Sequence, residues 1–291
     1  MQQLIVISGP TACKKTDTAI NLAKKINGEI ISADSMQVYK YMDIGTAKLN
    51  DDKNIKHYLI DVLDPDEEFS VKVFKDMATK AIKDIVSKGK IPIVVGGTAF
   101  YINALIFDVE FDNNNKHCDL QYSHEYLQSI DKEAAMAIHP NNIKRISRAV
   151  NYYKQTGKLF SKYNQEQSNK KYSYNTSFFI LNMERKTLYN NINTRVDTMI
   201  NNGLVNEVQF LLNKGYTKDL VSMQGIGYKE IIKYLDKELD IDKAIEDIKK
   251  NTRHFAKRQL TWFKNKVDNA IWLNIDELNN EDIITEIIKR L

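Results

Sequence analysis

Residues 4–16, LIVISGPTACKKT, run from a short apolar, β-branched stretch through Gly9 into a lysine-rich turn. DTAINLAKKI at 17–26 then carries apolar residues at helical spacing. Strand, glycine turn and helix is the setting a phosphate-binding loop requires. Backbone N–H groups of such a loop, with the helix N-terminus, form a nest for phosphate oxygens. Gly9, Pro10, Thr11, Ala12, Cys13, Lys14, Lys15 and Thr16 are the candidate residues. Lys15 would add a point charge, and the Thr16 hydroxyl a ligand for Mg²⁺. Lys14 departs from the pattern G-x-x-x-x-G-K-[ST], whose second glycine serves close backbone approach or positive φ. Cations in a first helical turn oppose the helix dipole, and a bound anion would offset them. The plainer reading is an ordinary strand–helix turn. On this motif alone the anion is a nucleotide, a sugar phosphate or any diphosphate.

Working outward, EIISA at 29–33, HYLIDV at 57–62 and IPIVVGG at 91–97 are further strand-like apolar runs. Between the last two, Val73, Phe74, Met77, Ala81, Ile82 and Ile85 fall on one helical face. Apolar strands alternating with helices predict an α/β fold, a P-loop-type parallel sheet covered by helices. After Tyr101 the pattern weakens: 112–126 is polar, and 127–160 reads as helix, turn, helix broken at Pro140. The predicted organisation is a P-loop α/β core over 1–107 and a short, reduced, helical insertion over 108–140. Residues 141–291 then complete the core and add a helical C-terminal part. Asp34 lies just past the second strand, and carboxyl ends of parallel strands line the ligand crevice. A carboxylate beside a phosphate cradle repels it unless a metal or a proton transfer gives it a role. The bland alternative is an Asp that caps a turn.

Composition excludes whole classes. With 291 residues, 43% hydrophobic and 27% charged, the chain has ordinary globular usage. No stretch approaches the ~20 apolar residues of a membrane span. The N-terminus lacks the basic and apolar regions of a signal peptide. Cys13 and Cys118 are too few for a disulfide framework or a four-cysteine zinc site. The expected location is the cytosol, with no membrane partner, and the expected state is a monomer. Lys plus Arg number 42 against 38 Asp plus Glu, a net charge of +4. The surplus is concentrated: 249–266 holds seven Lys/Arg and no acid, and 141–171 holds eight against Glu166. Such segments are solvated helix faces or an anionic-partner surface, most often for nucleic acid. Lys144, Arg145 and Arg148 at i, i+1, i+4 cluster near one helix face, as do Arg253, Lys257 and Arg258 at i, i+4, i+5. Trp262, also at helical spacing, reads as core.

Together these segments resemble the tRNA dimethylallyltransferase (tRNA isopentenyltransferase) family. The resemblance rests on GPTACKKT and on ISADSMQVYKYMDIGTAK (31–48), then IPIVVGGTAFYINAL (91–105) and HPNNIKRISRAVNYYKQTGK (139–158). LYNNINTRVDTMINNGLVNEV (188–208), GIGYKE (225–230) and AKRQLTWF (256–263) follow in family order. It implies transfer of the five-carbon group of dimethylallyl diphosphate to N6 of the adenosine 3′-adjacent to the anticodon in tRNA. Asp34 would be the general base. Thr16 with Mg²⁺ and the loop would assist diphosphate departure, and Thr98 would sit near the flipped base. Asp34, Ser35, Met36, Gln37 and Thr98 would contact tRNA at the reacting base. Lys144, Arg145, Arg148, Arg253, Lys257 and Arg258 would meet the anticodon stem-loop. Cys13, Lys14, Ala99, Asn142 and Gln224 depart from the family's usual residues. They bear on diphosphate affinity and docking rather than on fold. Three alternatives stay open on the sequence: a catalytically impaired tRNA-binding homologue, an adenine-nucleotide isopentenyltransferase, and a small-molecule P-loop kinase, for which IPIVVGG lacks the terminal Asp that LIDVLD could imitate.

Overall fold

The computed structural model describes residues 1–48, 55–107, 121–166, 171–267 and 269–291. They form two compact units, residues 1–106 with 174–291, and residues 107–173. The sequence-based division at 140 falls inside the second unit. Its basic helix belongs with the inserted helices because they bury a common apolar core. Residues 108–120 of the expected insertion, Cys118 among them, lie outside the described residues.

In the first unit the chain runs β1 (Gln3–Ser8), α1 (Lys15–Ile26), β2 (Gly28–Ser32), β3 (His57–Tyr58), α2 (Val71–Ser87), β4 (Ile91–Gly96) and α3 (Ala99–Ile106). The second unit holds α4 (His124–Ile130), α5 (Lys132–Ala137), α6 (Ile143–Thr156) and α7 (Phe160–Glu166). The first unit resumes with β5 (Asn175–Asn182), α8 (Arg185–Asn201), α9 (Leu204–Asn213), α10 (Tyr228–Leu235), α11 (Ile241–Lys266), β6 (Ile271–Asn274) and α12 (Asn280–Ile288).

The six strands form one sheet in the order β3-β2-β4-β1-β5-β6, every pair parallel. Leu4, Ile5, Val6 and Ile7 are all fully buried, so both faces of β1 are covered. That is the burial expected of a parallel sheet between helical layers. Ile5, Ile7, Ile93, Val95 and Phe179 join Leu22 of α1 and Ile283, Ile284 and Ile287 of α12 in one cluster. Phe74, Ala78, Ala81, Ile82 and Ile85 form the buried stripe of α2, and the Ser70 hydroxyl caps its N-terminus by accepting from Val73 N–H. β5 and β6 extend the sheet beyond the strands expected from sequence. HYLIDV pairs over two residues only.

The second unit is helical as expected, although its insertion is better formed than its sequence suggests. Leu127, Ala134, Ala135, Ile138, Ile146, Ala149, Val150 and Phe160 make its core. The buried Asp131 carboxylate ties α5 to α7. Its Oδ1 caps α5 by accepting from Ala134 N–H at 3.0 Å, and its Oδ2 accepts from Ser161 N–H of α7 at 2.8 Å. Asn142 caps α6, with Oδ1 accepting from Arg145 N–H at 3.2 Å. Among the described residues no helix is long and apolar enough to cross a membrane.

Candidate active site

Strand order reverses direction at adjacent β1 and β4: the chain leaves β1 towards β2 and leaves β4 towards β5. In open parallel sheets the crevice beyond such a switch point is where ligands bind. Three turns meet there, from the carboxyl ends of β1, β2 and β4.

The turn after β1 is the glycine–lysine loop. Gly9 has φ +143°, and a Cβ there would stand 2.4 Å from the Leu181 carbonyl oxygen. Only glycine fits. Ala12 (φ 63°) and Lys14 (φ 57°) take the left-handed conformation, turning the chain into α1. Lys14 thus adopts the backbone asked of the missing glycine, and its side chain is exposed. It supplies no side-chain cap to the first N–H groups of α1. Lys15 lies over the loop, its Nζ donating to the Pro10 carbonyl at 2.6 Å.

The turns after β2 and β4 are bonded to each other. Asp34 Oδ1 accepts from the N–H groups of Met36 at 2.8 Å and Gln37 at 3.3 Å. The capping reading of Asp34 therefore holds for one oxygen, while Oδ2 makes neither of these bonds. Thr98 Oγ1 accepts from Ser35 N–H at 3.2 Å, and Thr98 N–H donates to the Ala33 carbonyl. Gly96 allows this approach, since a Cβ there would lie 2.2 Å from Ala33 O.

Together the turns border a cavity of about 770 Å³ lined by Thr11, Ala12, Cys13, Lys14, Lys15, Thr16, Asp34 and Gln37, with residues of α8 and α11. Thr98 and Ser35 do not line it; they brace the Asp34 turn from behind. Met36 packs against Gly225, whose added Cβ would be 2.5 Å from the Met36 methyl. Gly9 and Pro10 shape the loop without lining the cavity.

Among the cavity residues not singled out from sequence, three bond directly to the β1 turn. Gln259 of α11, buried, receives Thr11 N–H on Oε1 at 2.9 Å and donates from Nε2 to Gly97 O at 2.9 Å. It joins the β1 and β4 turns. Arg195 of α8 donates to Thr11 Oγ1 at 3.4 Å. Burial pulls its pKa down from the ordinary value and the Asp34 charge opposes this; a guanidinium stays charged regardless. Asn191 donates to Ala12 O at 3.5 Å. All three sit inside quoted stretches, but only the fold brings α8 and α11 to the loop. Burial pushes the Cys13 thiol up, with Lys15 opposing, so it stays a neutral thiol.

The basic residues divide. Arg253 is half-buried and donates to Asn193 Oδ1 at 2.7 Å, so it ties α11 to α8. Lys257 and Arg258 are exposed on α11, off the face that Gln259 buries. With His254, Thr261, Trp262, Asn265 and Lys266 they line a groove of about 520 Å³. Trp262, expected in the core, is half-buried in this groove, and its neighbour Phe263 is the fully buried aromatic. A one-residue offset on a helix turns a side chain by ~100° and decides which of two aromatics is core. Lys144, Arg145 and Arg148 are exposed along α6 of the second unit.

A family model described as IPP transferase matches residues 37–266. A protein of Lachnoclostridium phytofermentans described as tRNA dimethylallyltransferase is 50% identical, over 100% of this chain and 98% of its own. A solved tRNA delta(2)-isopentenylpyrophosphate transferase of Staphylococcus epidermidis is 46% identical with a TM-score of 0.76, covering 100% of this chain and 99% of the other. A eukaryotic dimethylallyltransferase described as acting on tRNA is 27% identical, with a TM-score of 0.82 over 99% of this chain and 78% of that one.

Proposed function

We propose that this chain, which belongs to the IPP transferase family, transfers the dimethylallyl group of dimethylallyl diphosphate to N6 of the adenosine 3′-adjacent to the anticodon in tRNA. The observation that carries the reading is the placement of the Asp34 carboxylate in one cavity with the phosphate loop. Diphosphate departure and amine attack need those two groups on either side of one reacting carbon.

The N–H groups at the start of α1, Lys15 and Arg195 stabilise the diphosphate, where negative charge develops as the C1–O bond breaks. The bond's electron pair leaves with the diphosphate. The N6 amine attacks C1, and its proton passes to Asp34 through the oxygen that does not hold the turn. Asp34 Oδ1 stays with Met36 and Gln37 throughout, so the base is aimed before substrate arrives.

Among the described residues no group of three His, Cys, Asp or Glu is arranged to hold a metal ion. Mg²⁺ suits such a place all the same, since it is commonly held by one or two protein oxygens plus substrate phosphates. Thr16, with Asp17 in the same cavity lining, would hold it with the diphosphate. When bound it would neutralise charge on the leaving group. The flipped adenine must leave its stack, at a cost of a few kcal/mol. The exposed cations Lys257 and Arg258 on α11, and Lys144, Arg145 and Arg148 on α6, would meet tRNA phosphates.

Incubation with Mg²⁺, labelled dimethylallyl diphosphate and unmodified anticodon stem-loop RNA should give N6-prenyl-adenosine after digestion to nucleosides. Asn at position 34 keeps an oxygen for the turn but cannot take a proton. Asp34→Asn should therefore lower the rate by about 10²–10⁴-fold with the fold intact. RNA binding without product from the unsubstituted protein would replace this reading with that of a catalytically impaired tRNA-binding homologue. Product from AMP but not from RNA would point to an adenine-nucleotide isopentenyltransferase.

A further inference from the structure

The chain beyond Asp34 is anchored by a carboxylate that neither diphosphate binding nor proton transfer uses. Residues 43–48 form part of the cavity wall through Asp43, Ile44, Ala47 and Lys48. Glu207 of α9 holds them. Its Oε2 accepts from Asp43 N–H at 2.8 Å and Ile44 N–H at 2.6 Å. Its Oε1 accepts from Gly45 N–H at 3.0 Å and the Tyr228 hydroxyl at 2.7 Å. Four donors converge on one side chain, and only a group that accepts at both oxygens can receive them all.

Tyr228 is fully buried at the start of α10. Burial and the Glu207 charge push its phenol well above the ordinary value, so it remains a donor. The loop sits hard against it: a Cβ on Gly45 would come within 2.5 Å of the Tyr228 ring.

From this anchor a hydrogen-bonded path leads to the base. The Thr46 carbonyl accepts from Gln37 Nε2 at 3.2 Å. Gln37 Oε1 in turn accepts from the Ser32 hydroxyl at 3.1 Å. Gln37 N–H, with Met36 N–H, donates to Asp34 Oδ1. The loop, Gln37 and the Asp34 carboxylate are one connected unit, with Glu207 at its far end.

We propose that Glu207 is a positioning residue for Asp34, acting through the 43–46 loop and Gln37 in the site read above as that of dimethylallyl transfer, on which reading the assignment rests. Glu207 itself touches neither substrate nor the reacting atoms. Its carboxylate fixes the loop, the loop fixes Gln37, and Gln37 fixes the direction of the base. In catalysis a small misplacement of such a group is costly.

Glu207→Gln replaces one acceptor oxygen by an NH₂ group that faces donors. The expected result is a fall in kcat of about tenfold to a hundredfold. KM for dimethylallyl diphosphate should stay within about twofold, because the phosphate loop is held separately by Gln259. Glu207→Asp, shorter but still accepting at both oxygens, should recover part of the loss. Hydrogen exchange at the Met36 and Gln37 amides, read without turnover, should speed up in Glu207→Gln. Should Glu207→Gln fail to fold, the same two readouts are taken on Glu207→Asp with and without Gln37→Ala. Coupling then requires the Glu207→Asp effect to vanish once Gln37 is gone. An unchanged kcat, exchange confined to 43–45, or full additivity with Gln37→Ala would overturn the proposal. Absence of product from the unsubstituted protein fails the transferase reading alone, and the exchange measurement still decides whether Glu207 holds the Asp34 turn.

Discussion

Lys14 shows how one residue can fill a position without the side chain the pattern asks for. The loop needs a left-handed residue there, and Lys14 takes φ 57° and ψ 22°. A non-glycine residue in that region costs about 1–2 kcal/mol. Glycine would remove that strain but adds about 0.5–1 kcal/mol of unfolded-chain entropy. The strain relieved exceeds the entropy lost by about 0.5–1 kcal/mol, so Lys14→Gly should raise the melting temperature by no more than a few degrees. Its main effect belongs to binding. The Lys14 side chain is exposed at the cavity and, on the proposed reading, would add charge toward a diphosphate. Its loss should raise KM for dimethylallyl diphosphate by about 1.4- to fivefold, the 0.2–1 kcal/mol of an exposed ion pair. A drop in KM would mean that the lysine obstructs the nest. The sequence makes the loop and the Asp34 turn legible as local structure because each sits in a short local pattern, whereas Thr98, expected near the reacting base, does not line the cavity. Nor does the sequence mark the division of labour within Asp34, whose two oxygens differ only through the turn that one of them caps.

Among the elements, α11 does two jobs on different faces, and only one of them is written in its composition. The basic face is visible as seven cations without an acid over 249–266. The other face carries Gln259, which bridges Thr11 N–H and Gly97 O. One uncharged residue in a charged helix gives no local signal, because its role comes from where the helix lands on the sheet. Gln259→Leu keeps the size and removes both bonds. It leaves a buried donor and a buried acceptor unsatisfied, at about 1–3 kcal/mol each. The measurable outcome is a lower denaturation midpoint, with a raised KM for dimethylallyl diphosphate because Thr11 loses its tether. Gly97→Ala should reproduce it, since a Cβ there would stand 2.2 Å from Gln259 Nε2. The strands were legible where an apolar run meets a glycine or a turn, not by length: two-residue β3 was anticipated within HYLIDV, whereas eight-residue β5 was not. β1, β2 and β4 combine apolar runs with a following turn. β5 carries Phe178, Phe179, Ile180 and Leu181, all buried, but no glycine or proline marks either end.

At the scale of the whole molecule, charge sets both the acid limit of the fold and its dependence on salt in binding RNA. Glu29, 3% exposed, meets Lys90 Nζ at 2.7 Å and the Tyr58 hydroxyl at 2.8 Å. Burial pushes its pKa up, but the bonds from Lys90 and Tyr58 and the charges of Lys90 and Lys88 outweigh it and hold it below 4.5. The hydrogen bond from Lys88, with a share in the single Tyr58 proton, holds half-exposed Asp84 at about 2. Both folded-state values lie below the unfolded ones, so this stabilisation is complete above about pH 4.5 and is lost as pH falls towards 2. Denaturation midpoints should drop across that window, and Glu29→Gln should flatten the drop. RNA binding tests the opposite sign of charge. Each single-strand phosphate neutralised steepens the dependence of log K on log salt by about 0.7. Lys257→Ala with Arg258→Ala should therefore reduce the slope by about 1.4 if both cations meet phosphates. Lys144→Ala, Arg145→Ala and Arg148→Ala together should reduce it by about 2.1 on the same count. The two sets share no partner among the described contacts, so their effects on one bound RNA should add within about 0.5 kcal/mol. A slope unchanged by the α11 pair would make that face merely solvated. A combined loss no larger than either set alone would mean that the two units take hold of RNA in alternative, not simultaneous, modes.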